Sequence, residues 1–145
     1  MEINKFKSHA KINLALNVTG KIKSLHKVES IISFVDLHDV ISVNEHKKDK
    51  HQIFFYGKFS KNINKKNTVQ KLFDKLDEKN LLNQKKFLIK IKKNIPQEAG
   101  LGGGSMNAAS ILNYFVKRKI IKLSLKNIKN IKNICNSIGS DVILG

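Results

Sequence analysis

The run Gly100-Leu101-Gly102-Gly103-Gly104-Ser105-Met106-Asn107-Ala108-Ala109 decides how this chain is read. It stands between an apolar, strand-like segment and an amphipathic helix. Four glycines within five residues let the backbone approach a ligand closely and take positive φ without steric cost. The helix that follows turns unsatisfied N–H groups and the positive end of its dipole toward the loop. A nucleotide phosphate is therefore the first ligand to expect there. A tight packing turn between helix and sheet would use the same glycines, and the loop alone does not separate the two readings. No Gly-Lys-Ser/Thr closes it, so it is not a Walker loop. Nor does it fit the dinucleotide fingerprint with its acidic residue further on.

Working outward, residues 87–93 alternate, with Phe87, Ile89 and Ile91 on one face, before Pro96 opens the loop. Residues 105–116 read as the helix after the loop, packing through Ala108, Ala109, Leu112 and Phe115 or Val116. Ser124 is a candidate N-cap for a last helix bearing Ile128, Ile131, Cys135 and Ile138, which Gly139 ends. Upstream, residues 11–19 alternate with strand period. Ile12, Leu14, Leu16 and Val18 fall on one side, and Lys11, Asn13, Ala15, Asn17 and Thr19 on the other. Residues 28–35 read as a second strand, and 40–43 as a third after the turn-like Asp36-Leu37-His38-Asp39. Residues 52–56 form a further short strand, and 68–76 carry Val69, Leu72, Phe73 and Leu76 at helical spacing. The Lys- and Asn-rich stretch 44–66 reads as surface hairpin or loop. This order predicts one α+β domain over residues 1–145, with a mostly antiparallel sheet and helices on one face.

Composition narrows the function classes. The formal charge of +17 invites a nucleic-acid reading, but Arg118 is the sole arginine and the lysines are spread through every segment. Base-reading and stacking proteins favour Arg and aromatics, and aromatics are 7% of this chain. The charge reads as a lysine-rich background, and no specific nucleic-acid partner is expected. There is no apolar run near membrane-spanning length and no signal-peptide core after Met1. No membrane partner is expected, and the single Cys135 makes a cytoplasmic location the default. Oligomeric state is not legible.

Three features occur in order: Ser8-His9-Ala10-Lys11-Ile12-Asn13-Leu14-Ala15-Leu16, the glycine loop after Pro96, and Gly139-Ser140-Asp141-Val142. With His26 and the Phe34-Val35-Asp36-Leu37-His38-Asp39 stretch between them, this set resembles the superfamily of galactokinase, homoserine kinase, mevalonate kinase and phosphomevalonate kinase. Within it the chain is most similar to the 4-diphosphocytidyl-2-C-methyl-D-erythritol kinases of the non-mevalonate isoprenoid pathway. The resemblance covers about residues 8–142 and implies an N-terminal, ATP-binding kinase domain of the two-layer type shared with ribosomal protein S5 domain 2. It also implies ATP with Mg²⁺ and a cytidine-diphosphate-linked small-molecule substrate, one of whose hydroxyls is phosphorylated. Family members are about twice this long, so the family's C-terminal domain is expected to be absent and the half-length chain inactive alone. The alternatives are another small-molecule kinase of the superfamily and a basic RNA-binding domain on an S5-like scaffold.

By resemblance, Asp141 matches the aspartate that takes the substrate's hydroxyl proton, and Lys11 the lysine that stabilises developing charge. Gly100, Leu101, Gly102, Gly103, Gly104 and Ser105 would wrap the ATP phosphates, and Asn107 would fix the loop. Asn67, Lys93 and Pro96 fall where the family places groups near adenine and ribose. Asn13 and His26 would meet the substrate. No metal ligand is implied. Beside these stand plainer readings: Lys11 as a solvated strand residue, Asp141 as a turn residue, His26 as a surface histidine and Cys135 as a small buried thiol. No role is read for His9, His38, His46 or His51. The sequence departs from the family at Leu25, where an aromatic is usual, at Met106 in place of a second loop serine, and at Ile143 in place of a proline.

Overall fold

Two long strands frame the molecule. The computed structural model describes residues 4–23, 25–139 and 141–145, with Ile22, Leu25 and His26 described by backbone alone. Strand β1 (Asn4–Ile22) pairs antiparallel with β2 (Leu25–His46), and β2 pairs antiparallel with β4 (Lys86–Lys92). Strand β3 (Gln52–Tyr56) lies parallel to β4, with helix α1 (Thr68–Glu78) as the crossover, giving the sheet order β1-β2-β4-β3. Helices α2 (Gly103–Lys117) and α3 (Leu125–Ile138) and a 3₁₀ turn (Val142–Leu144) complete the described chain. The α+β class and the mostly antiparallel sheet follow the reading from sequence.

Two expectations change. The second and third strands are one, because β1 keeps its ladder across Asp36 and Leu37: His9 pairs with His38 and Ala10 with Val35. The turn-like residues are thus a bulge, two extra residues on one strand that bend it without ending it. Residues 44–66 are not a simple hairpin, since β3 joins the sheet on β4, parallel and across α1. The apolar row of β1 is not core: Leu14, Leu16 and Val18 are 63%, 56% and 64% exposed. Strand β4 reaches β2 only at residues 40–46, so among the described residues the outer hairpin has no third strand beside it.

The core sits where the sheet does carry helices. Ile41 and Val43 of β2 and Phe87, Ile89 and Ile91 of β4 point at Leu72, Phe73 and Leu76 of α1 and Ala108, Ile111 and Phe115 of α2. Phe73 and Phe115 meet edge to face, ring centres 5.9 Å apart, a favoured aromatic geometry. Helix α3 adds Ile134, Cys135 and Ile138, while the predicted Ile128 is half exposed. Two helix starts are side-chain capped: Asn67 accepts from the Gln70 amide at 3.0 Å, and Ser124 from the Asn127 amide at 3.2 Å. Helix α2 begins instead at Gly102 and has no side-chain cap.

Candidate active site

The uncapped start of α2 faces a cavity of about 410 Å³. Asn67, Lys93, Pro96, Asn107 and every residue from Gly100 to Ser105 line it, so all the residues expected around a nucleotide meet in one place. The backbone explains the glycines. Gly100 and Gly102 stand at φ +71° and +65°, the left-handed region where a Cβ is strained. A Cβ on Gly102 would also lie 3.1 Å from the Lys11 Cγ.

That close approach places Lys11. Its backbone N–H donates to the Leu101 carbonyl at 3.1 Å, tying β1 to the loop. Its side chain is buried and runs under Gly102, and its Nζ reaches the Asp141 Oδ2 at 3.1 Å and the Asn13 Oδ1 at 3.3 Å. The plain reading of Lys11 as a solvated strand residue therefore fails. The register shift between His9 and Ala10 breaks simple alternation, and Ala10 and Lys11 are both buried. Asp141 arrives from the other end of the chain. Gly139 closes α3, and the Val142 amide donates back to its carbonyl at 3.2 Å. A Cβ on Gly139 would lie 3.0 Å from the Ser105 Oγ, so this turn and the glycine loop touch.

Beneath the loop lies a polar hub centred on Asp39, which is fully buried. One carboxylate oxygen accepts from the Asn94 and Ile95 amides at 2.7 and 2.9 Å. The other accepts from the Asn107 Nδ2 at 2.9 Å and from the Lys93 ammonium. Lys93, expected near the adenine and ribose, is thus neutralised inside the protein while it lines the cavity floor. Asp39 was not singled out from sequence, although it lies in phase with Ile41 and Val43 on the buried face of β2. An acid on an apolar strand face was the available signal.

The proposed substrate residues are less gathered. Asn13 is held beside Lys11 and accepts from the Ser30 hydroxyl at 3.1 Å. The His26 backbone pairs opposite Lys21, toward the far end of the β1–β2 hairpin, and its side chain lies outside the described residues. The Ser140 position of the closing motif also lies outside them. Cys135 is buried among apolar neighbours, and burial pushes its thiol up, which suits a packing role. Among the described residues, no helix is long and apolar enough to cross a membrane.

Known proteins share this sequence and fold. The chain is 62% identical to a 4-diphosphocytidyl-2-C-methyl-D-erythritol kinase of Pelagibacter ubique, over 97% of this chain and 49% of that protein. It is 38% identical to the protein of the same name from Clostridium perfringens, over 95% of this chain and 46% of that one. It therefore spans about half the length of the curated relatives it matches. A crystal structure of 4-(cytidine 5'-diphospho)-2C-methyl-D-erythritol kinase shares the fold, with a TM-score of 0.69 at 22% identity over 96% of this chain and 47% of that one. A homoserine kinase structure from Cytophaga hutchinsonii gives 0.58 at 16%, over 96% and 44%. The family model described as GHMP kinases N terminal domain matches residues 66–143, which hold the glycine loop and Asp141. The chain belongs to the GHMP kinase N-terminal domain family.

Proposed function

We propose that this chain is the ATP-binding, N-terminal half of a kinase that phosphorylates a hydroxyl of 4-diphosphocytidyl-2-C-methyl-D-erythritol, a step toward isoprenoid precursors. The observation that carries the reading is the Lys11–Asp141 ion pair, 3.1 Å long, beside the glycine-loop cavity. Phosphoryl transfer asks a protein for positioning and charge stabilisation more than for covalent chemistry. The free N–H groups at the start of α2 suit the phosphates, since no side chain caps them. The cavity volume lies in the usual range for small-molecule sites.

In this reading Asp141 accepts the proton of the attacking hydroxyl, and Lys11 offsets negative charge growing at the transferred group. Asn107 and Lys93, held by Asp39, fix the cavity floor. Asn67 and Pro96 flank the adenine and ribose, and Asn13 and His26 contact the cytidine-diphosphate-linked substrate. Mg²⁺ prefers hard oxygen donors and would bind largely through substrate phosphates, with the Ser105 hydroxyl in the cavity lining as an oxygen that fits it. Its contribution would be to neutralise phosphate charge. The other half of the substrate cleft would come from the part of the relatives that this chain does not match. A nucleotide substrate and a reduced, buried Cys135 suit a cytoplasmic enzyme.

A chimera tests this: the chain replaces the N-terminal half of the 62% identical relative. ATP-dependent phosphorylation of the cytidine-diphosphate substrate is expected, and its loss with Asp141→Asn. A folded, ATP-binding chimera that leaves this substrate untouched would refute the assignment.

A further inference from the structure

We propose a second site, distinct from the glycine-loop cavity: His9, Asp36 and His38 bind a divalent transition-metal ion of the zinc class. Donor atoms from the three side chains lie within 4.8 Å of one another. The sheet itself produces this convergence. His9 and His38 are directly opposed on β1 and β2, with ring centres 5.4 Å apart. Immediately beyond them the ladder resumes at Ala10 and Val35, so Asp36 and Leu37 are extra residues with no partner on β1. Such a bulge re-aims side chains, and here it sets Asp36 beside the histidine pair.

Backbone carbonyls hold both rings. The His9 Nδ1 faces the Val35 carbonyl at 3.1 Å, and the His38 Nδ1 faces the carbonyl of Asp36. A carbonyl only accepts, so the His9 Nδ1 carries the hydrogen and its Nε2 keeps its lone pair, while the His38 Nδ1 lies 3.6 Å from the Asp36 Oδ1 as well. A backbone carbonyl on the far nitrogen is the usual outer support of a metal-bound imidazole. Two imidazoles and a carboxylate suit zinc and its neighbours better than magnesium. Metal bonds of about 2.0–2.2 Å set tetrahedral donors roughly 3.3 Å apart, so the three must close by about 1.5 Å at most. Asp36 is free to do so: its side chain is 89% exposed, and its ion-pair contacts are Lys7, at 3.7 Å, and His38 itself. An exposed pair with Lys7 contributes little and would yield to a divalent ion.

Titration of the chain with Co²⁺ in excess Mg²⁺, followed by visible d–d absorption, tests the site, with Zn²⁺ competition as a second reading. One ion per chain is expected, unaffected by Mg²⁺, with binding weakened at least about tenfold in His9→Gln and His38→Gln and less in Asp36→Asn. His46→Gln should bind as the parent does. No absorption at one equivalent, or equal affinity in His9→Gln and His38→Gln, would overturn the proposal. Circular dichroism on each variant separates lost ligands from lost fold, and neither readout depends on kinase activity.

Discussion

Lys93 and Asp39, 54 residues apart in the chain, form an ion pair whose side chains are 5% and 0% exposed. Asp39 takes two backbone amides and Asn107 as well, so one carboxylate joins β2, the segment after β4 and the first turns of α2. Removing one partner of a buried pair strands the other charge, at a cost of about 3–5 kcal/mol. Asp39→Asn should therefore lower unfolding free energy by roughly that amount in urea titrations. The double variant Asp39→Asn/Lys93→Met should recover part of the loss, because no charge is left unpaired. A loss in the double variant equal to the sum of the singles would show that the two do not couple.

How much of this was legible in sequence depends on the range of the cause. Gly100 and Gly102 declared the loop, because left-handed backbone and close approach are properties of single residues. Ser124 announced its helix through an equally local cause, a side chain that caps the Asn127 amide. The burial of Lys11 was hidden by a register shift that period-2 reading does not include. The parallel seat of β3 was hidden because a strand's partner is chosen across the fold and not within the strand. Leu14 and Leu16 alternate as core residues do, yet the outer hairpin gives them nothing to pack on. His9 and His38 carried no signal singly and gained one only when β1 and β2 paired.

Gly102 should be the least replaceable residue of the loop. Gly102→Ala puts a Cβ 3.1 Å from the Lys11 Cγ and holds a side chain at φ +65°. Gly100→Ala carries similar strain at φ +71° but meets nothing within 4 Å. Left-handed backbone costs a non-glycine residue about 1–2 kcal/mol, so both variants should lose about that much stability. Titration with an ATP analogue and turnover of the chimera separate them: Gly102→Ala should also displace Lys11 and cut turnover, and Gly100→Ala should not. Equal turnover in both would remove the contact from the mechanism.

His51 should make stability depend on pH. Burial holds its imidazole below the ordinary 6.5, outweighing the hydrogen bond to Asp77 that raises it. The Phe87 amide donates to its Nδ1 at 3.1 Å, so the neutral ring donates from Nε2 to the Asp77 Oδ1, also at 3.1 Å. In the unfolded chain His51 takes up its proton first as pH falls through 6.5. The unfolded state then binds more protons, and stability falls from there down to the lowered folded value. Urea midpoints from about pH 8 to about pH 5 should show this slope, and His51→Gln should flatten it. An unchanged slope in the variant would place the effect on another group.

The Lys11–Asp141 pair should behave as one catalytic unit. Asp141→Asn keeps the shape of the turn that Gly139 begins but removes the proton acceptor. Turnover in the chimera should fall at least about a hundredfold, with far less change in ATP affinity. Lys11→Ala should cost a comparable factor, because it removes a charge aimed at the transferred group. The lysine reaches Asp141 at 3.1 Å, so each variant already disables the other partner. The double variant should then lose much less than the product of the two single effects. Steady-state kinetics with saturating nucleotide would decide it. Near-normal turnover in Asp141→Asn would exclude that residue as the base, and multiplicative losses would mean that the two residues act on different steps.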